Sequence, residues 1–246
     1  MKALPQDFSP ILIGGTVHRI VESQEMRATQ RLVNNLAEHD ILEHLLEAAK
    51  PALPKHTEGY HYLLATPFRY PPLPYGSRFG TRHEPSLFYG AQHEATCIAE
   101  CAFYRFVFLH SMTTPPPQAI TTQHTLFTAT FRTQRGANLS LHPFNGYLNK
   151  ICHASDYTFS QTLGLTLREA KLEGFLYPSA RDPKKGTNIA LFTARAFTKK
   201  QPISMQEWSS ELTTENVCFK NLRQGKTYLF EHAQFTDRQG HFPQPA

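Results

Sequence analysis

The chain reads as one α/β domain preceded by a helical flank. Two observations carry this. Segments with helical periodicity alternate with short β-rich runs such as SLFYG, TLFTATFR and NIALF, and the 246 residues can bury a substantial core. The hydrophobic fraction of 40% against 18% charged residues excludes a disordered chain.

The elements follow in order. From Val21 to Lys50 leucines recur among charges at nearly helical spacing, broken at His39 and Asp40, which predicts two amphipathic helices ending at Pro51. A strand is expected over Tyr60 to Ala65, and a proline- and glycine-marked loop over Thr66 to Pro85. Ser86 to Gly90 reads as a short strand. His93 to Leu109 reads as a helix, because Ile98, Ala102, Phe106 and Leu109 return every three or four residues. Thr125 to Arg132 and Asn188 to Phe192 read as strands, Phe159 to Glu173 as a helix followed by strand-like FLYPS, and the tail through Tyr228 to Phe230 as strand-rich.

The chemistry concentrates between Thr66 and Glu100, TPFRYPPLPYGSRFGTRHEPSLFYGAQHEATCIAE. Here Arg69, Arg78 and Arg82 stand near the Phe88–Tyr89 pair and Glu100. Arginines grip phosphates bidentately, aromatic faces stack on flat rings, and a carboxylate steadies a developing cation, so the set suits a nucleotide whose glycosidic bond is broken. Taken singly, each residue has an ordinary structural explanation: a surface arginine, a core aromatic, a helix carboxylate in an ion pair. Ser179 and Asn188 lie beside apparent strands and would more often make turns than touch a ligand.

The net charge of +5 and pI near 9.0 suit an anionic ligand or acidic partner, but the basic residues form no tract or nucleic-acid motif. No direct nucleic-acid role is expected. Cys97, Cys101, Cys152 and Cys218 form no CxxC, and no secretory leader or membrane-length apolar run is present, which predicts reduced thiols in a cytoplasmic protein. The thirteen histidines make no HExxH or zinc-spaced cluster, so no metal is expected. Walker, GxGxxG and GxSxG motifs are lacking as well.

The order FRYPP, GSRFG, LFYG, TCIAE, GFLYPSARDP and GTNIALF resembles the RES domain family over about Tyr60 to Phe197. The resemblance implies an ADP-ribosyltransferase-like split central β-sheet with flanking helices and an NAD-binding cleft. It divides the chain into a helical N-terminal extension, 1–55, and a RES domain, 56–240. The implied activity is cleavage of the nicotinamide–ribose bond of NAD by hydrolysis or phosphorolysis, in a toxin neutralised by an Xre-like antitoxin. Alternatives are a mono-ADP-ribosyltransferase acting on a protein, or an inert nucleotide-binding or interaction module. By motif, Arg69, Tyr89, Glu100 and Ser179 take the catalytic positions, with Arg78, Arg82 and Asn188 in ligand binding. GTRHE departs from the family's GGRWN-like stretch, which leaves Arg69, Arg78 and Arg82 in competition for the leading arginine. For the N-terminal helices the pattern admits antitoxin contact, packing on their own domain, or homo-oligomer formation.

Overall fold

The computed structural model describes residues 8–23 and 33–244. Among these, eight strands form one mixed sheet whose organiser is β3 (Ile120–Asn138), nineteen residues long. One edge of β3 is paired antiparallel with β1 (Ile11–Glu22), from Glu22 opposite His124 to Ile11 opposite Gly136. The other edge is shared. Residues 120–128 pair antiparallel with β6 (Ser204–Leu212), and Gly136 to Asn138 pair in parallel with β4 (Gly174–Pro178). Between the two partners the edge is covered locally, by a Phe131–Phe197 bridge and the bonds from Thr198 N to Thr130 O (2.9 Å) and from Glu173 N to Arg135 O (2.8 Å). This is the split of the sheet.

On one side of the split, β4 pairs with β5 (Thr187–Leu191) and β5 with β2 (Phe88–Ala91), and β2 touches β1 at His18 opposite Ala91. Five strands thereby close into a ring. Gly90 permits the closure, because a Cβ there would stand 2.4 Å from the Val17 side chain and 2.8 Å from the His18 carbonyl. On the other side, β6, β7 (Asn216–Asn221) and β8 (Thr227–Glu231) continue as an antiparallel meander.

The helices cover these strands. The first, α1 (Leu36–Ala49), is capped by Asn35, whose side chain accepts from Glu38 N. In α2 (Tyr62–Arg69) Leu63, Leu64 and Phe68 join a core with Val17, Phe88, Phe127 and Phe131. The long α3 (Glu94–His110) sends Ile98, Ala102, Phe103 and Phe106 onto Trp208, Phe219 and Phe230. A single turn, α4 (Leu148–Ile151), leads to α5 (Thr158–Glu169), where Leu163 and Leu167 pack on Phe79, Phe175 and Tyr177.

Two expectations are corrected. The stretch Tyr60 to Ala65 enters a helix, α2, that runs through Pro67; its aromatic composition suggests a strand, but the His61 ring caps Leu63 N (3.3 Å) and the buried face has helical spacing. The N-terminal extension is not helical throughout, since Ile11 to Glu22 is a strand of the central sheet. Of the two helices expected over Val21 to Lys50 with a break at His39 and Asp40, the described part is one helix, Leu36 to Ala49, that runs unbroken through both residues, while residues 24–32 lie outside the described residues.

His124 on β3 is buried and shares a hydrogen bond with Ser210 Oγ (2.8 Å), and burial pushes its pKa down to about 4. The unfolded chain takes up this proton near the ordinary value of 6.5, so the folded state loses stability as pH falls from about 6.5 towards 4. Urea unfolding is expected to give roughly 2–3 kcal/mol less stability at pH 4.5 than at pH 7 from this group. A His124→Gln protein should show a correspondingly shallower pH dependence.

Candidate active site

The site is built where α3 meets the β4–β5 hairpin. Thr96 and Glu100, one turn apart on α3, face that hairpin together. Thr96 Oγ1 donates to Asp182 Oδ2 (2.8 Å), and Glu100 Oε1 accepts from Ser179 Oγ (2.6 Å) and Asn188 Nδ2 (2.6 Å). The hairpin connection is itself wound around these groups. Ser179 Oγ accepts from the backbone N–H of Arg181 (3.1 Å) and Asp182 (2.9 Å), and Asp182 accepts from Lys184 N and Gly186 N. Gly186 presses so closely on Thr96 that a Cβ would lie 2.0 Å from its hydroxyl.

Glu100 is thus fixed through one oxygen, and its Oε2 accepts no hydrogen bond among the described residues. It opens on a cavity of about 330 Å³ that Tyr89, Tyr177, Asn188, Arg78 and Arg19 also line. Strand register explains the gathering: Asn188 stands between Ala91 of β2 and Tyr177 of β4, which places Tyr89, Asn188 and Tyr177 on one face of the sheet. The Tyr89 hydroxyl shares a hydrogen bond with Ser77 Oγ (2.9 Å) and accepts from Phe79 N (3.1 Å), so the ring is held in place.

Two guanidinium groups serve this cavity in different ways. Arg78 is buried, donates to the carbonyls of Ile151 (3.1 Å) and His153 (2.8 Å), and lies 4.4 Å over the Tyr157 ring. Burial alone would lower its pKa, but the Tyr157 phenol and the Glu100 carboxylate hold it above the ordinary value. Arg19, on β1, donates to the Tyr89 carbonyl (2.7 Å) and lies 5.0 Å over the Phe88 ring. No carboxylate among the described residues pairs with it, its Nε is enclosed without a partner, and burial lowers its pKa. An uncompensated cation of this kind attracts an anionic ligand.

The remaining groups are held neutral. Burial pushes the Tyr89 phenol up to about 12 and the Tyr177 phenol well above its ordinary value. Cys97 and Cys101 line the same cavity as thiols, Cys97 raised by burial and Cys101 raised to about 12. Neither offers a thiolate nucleophile near neutral pH. The cavity therefore provides charge stabilisation around a fixed carboxylate.

The structure brings together Tyr89, Glu100, Ser179, Asn188 and Arg78 from the sequence expectation. Ser179 is fully buried and acts on Glu100, so it is a positioning residue. Arg69 is not brought to the cavity: its side chain donates to the Pro51 carbonyl and pairs with Glu47 of α1 (2.6 Å). Arg82 is exposed and lines neither large cavity, because GTRHE forms a turn closed by Thr81 N donating to Glu84 Oε2 (2.9 Å). Sequence reasoning missed Arg19. The available signal was the β-prone run TVHRIVE, in which Val17, Arg19 and Val21 alternate.

These features define an α/β protein whose sheet and longest helix fix one carboxylate beside an arginine-flanked, ring-lined cavity. Residues 53–213 match the model of the RES domain, and the chain belongs to the RES domain family. Among solved structures, the crystal structure of the M. tuberculosis MbcT–MbcA toxin–antitoxin complex is similar, with a TM-score of 0.46 and 14% identity over 83% of this chain and 87% of that one. None of the curated proteins matches the sequence. Among the described residues no group of three or more His, Cys, Asp or Glu could hold a metal ion, and no helix is long and apolar enough to cross a membrane.

Replacing Ser179 by alanine strips an acceptor from two buried backbone N–H groups and a donor from Glu100. A loss of about 1–3 kcal/mol in unfolding free energy is expected from denaturant titration. Arg69→Ala, which removes a surface ion pair and a carbonyl contact, should cost about 1 kcal/mol or less in the same measurement.

Proposed function

We propose that the chain cleaves the nicotinamide–ribose bond of NAD+ and acts as the toxin of a toxin–antitoxin pair. The observation that carries this reading is Glu100, held through Oε1 by Ser179 and Asn188 at the wall of a cavity that two arginines also line. Membership of the RES domain family supports it.

Arg19 holds the pyrophosphate, with Arg78 adding positive potential deeper in the cavity. Tyr89 and Tyr177 enclose the nicotinamide ring, which favours its departure as a neutral base. As the C–N bond breaks, its electron pair leaves with nicotinamide and positive charge grows on the ribose. Glu100 Oε2 accepts a ribose hydroxyl and stabilises that charge. With Cys97 and Cys101 held as thiols, the acceptor comes from outside the protein: water gives ADP-ribose and releases a proton, and inorganic phosphate gives ADP-ribose 1″-phosphate. Asn188 and Ser179 keep the carboxylate in place and contribute through it.

The toxin is cytoplasmic in this reading and is neutralised by an Xre-like antitoxin that closes the cavity. Its N-terminal segment with β1 and the RES domain together form the acting unit, since Arg19 on β1 precedes the family-matched segment.

Nicotinamide release from NAD+ is the direct test. Glu100→Gln should retain the fold and lose at least about a hundredfold in kcat, the scale expected when a charge-stabilising group is removed. Wild-type turnover by this variant would overturn the assignment. Arg19→Ala should raise KM strongly, whereas Arg69→Ala should leave turnover close to wild type. Radiolabel passing from NAD+ to a cellular protein would instead identify a mono-ADP-ribosyltransferase.

A further inference from the structure

Among the described residues β8 is the one strand with a single partner, β7. The bonds from Asn221 N to Lys226 O (2.8 Å) and from His232 N to Glu215 O (2.7 Å) fix the phase of that pairing. Tyr228 and Phe230 therefore turn their backbone N–H and C=O towards β7, and Thr227 and Leu229 turn theirs outward, where no described strand lies. The end of the edge is partly closed, since Glu231 N donates to Gln234 Oε1 (3.3 Å). Open edges are ordinarily guarded by shortness, a proline, a bulge or a central charge. Apart from being short, β8 has none of these guards: it reads TYLFE, its register with β7 is continuous, and its midpoint is Leu229, 58% exposed.

The side chains around this edge are complementary to themselves. On the outer face of the sheet Leu229 stands beside Cys218, Thr227 beside exposed Lys220, and exposed Glu231 beside Asn216. Among the described residues neither Lys220 nor Glu231 has an oppositely charged partner. A second copy laid antiparallel along β8, about a two-fold axis at Leu229, sets Leu229 against the partner's Leu229, Thr227 against the partner's Glu231 and Tyr228 against the partner's Phe230. Lys220 and the partner's Glu231 then stand two strand spacings apart, about 10 Å, and reach each other over the small threonine. A parallel arrangement would instead bring the two Glu231 carboxylates side by side. We propose that β8 is a homodimer edge, through which two copies of this chain join their sheets into one. Leu229 exchanges both backbone bonds with the partner's Leu229, and Thr227 N–H donates to the carbonyl of the partner's Glu231. The contact is small, so the dimer is weak and reversible. No residue of β7 or β8 lines the Glu100 cavity or the adjoining one that shares Arg19, Ser77 and Tyr89 with it, and the inference is independent of the cleavage reading.

Sedimentation equilibrium over a series of protein concentrations tests the surface. The wild-type protein should pass reversibly from monomer to dimer as concentration rises and go no further. Leu229→Lys, which sets two lysines face to face at the axis, should raise the dissociation constant at least about tenfold. Lys220→Glu and Glu231→Lys should each weaken the dimer as well. The double reversal, Lys220→Glu with Glu231→Lys, should restore it, because these residues meet between copies while lying roughly 13 Å apart along the strand direction within one. Leu229 and Lys220 are exposed, so their variants should fold, and the melting temperature checks this. A wild-type protein that stays monomeric throughout the series overturns the proposal. So does a Leu229→Lys protein that dimerises as well as wild type, or a double reversal that fails to recover the dimer.

Discussion

The pairing of β1 with β3 is the constraint from which the site follows. β3 has two edges and three strand partners, so β6 and β4 must divide one edge while β1 takes the whole of the other. The cavities lie beside β1 and β2, which meet at His18 and Ala91, and the pairing of β1 with β3 sets the register that turns Val17 and Arg19 to the same side as Ala129 and Phe127. A slip of one residue would send the guanidinium to the opposite face. The bond from Arg19 to the Tyr89 carbonyl and the tight approach of Gly90 to Val17 then fix β2 against β1.

The carboxylate of Glu100 couples this frame to the rest. On its helix Ala99, Ala102 and Phe103 are buried around it, and a carboxylate there is tolerable only with donors at hand. The β4–β5 hairpin supplies them from two positions, Ser179 at the end of one strand and Asn188 within the next. Thr96 and Asp182 repeat the attachment one turn earlier. Docking of α3 and orientation of the carboxylate are consequently one event, and a folded chain has its charged group already aimed.

Legibility in the sequence tracked how local each signal was. The period of Ile98, Ala102, Phe106 and Leu109 announced α3 to within a residue at each end, and the short apolar runs at β2, β4 and β5 were equally plain. The helix α2 was hidden because Pro67 and the aromatic YHY argued locally for something else, and burial of Leu63, Leu64 and Phe68 overrode them. Glu100 and Tyr89 stood out by neighbourhood, and the family resemblance linked them to Ser179 and Asn188. The arginines misled for the same reason: Arg69 is near Tyr89 in the chain yet turns to Glu47, while Arg19 is seventy residues away and reaches the Tyr89 carbonyl. Only long-range strand pairing reveals that.

The family-matched segment begins at residue 53, whereas β1 lies wholly before it. A chain trimmed to residues 53–213 would lose β1, β7 and β8 and bare the backbone of β3 along residues 124–136, together with the edges of β2 and β6. Unpaired edges beside an opened aromatic core are a template for association between chains. The boundary drawn by sequence similarity therefore cuts through a closed hydrogen-bonded ring, and the smallest piece of this protein that keeps the ring closed is larger than its recognisable domain.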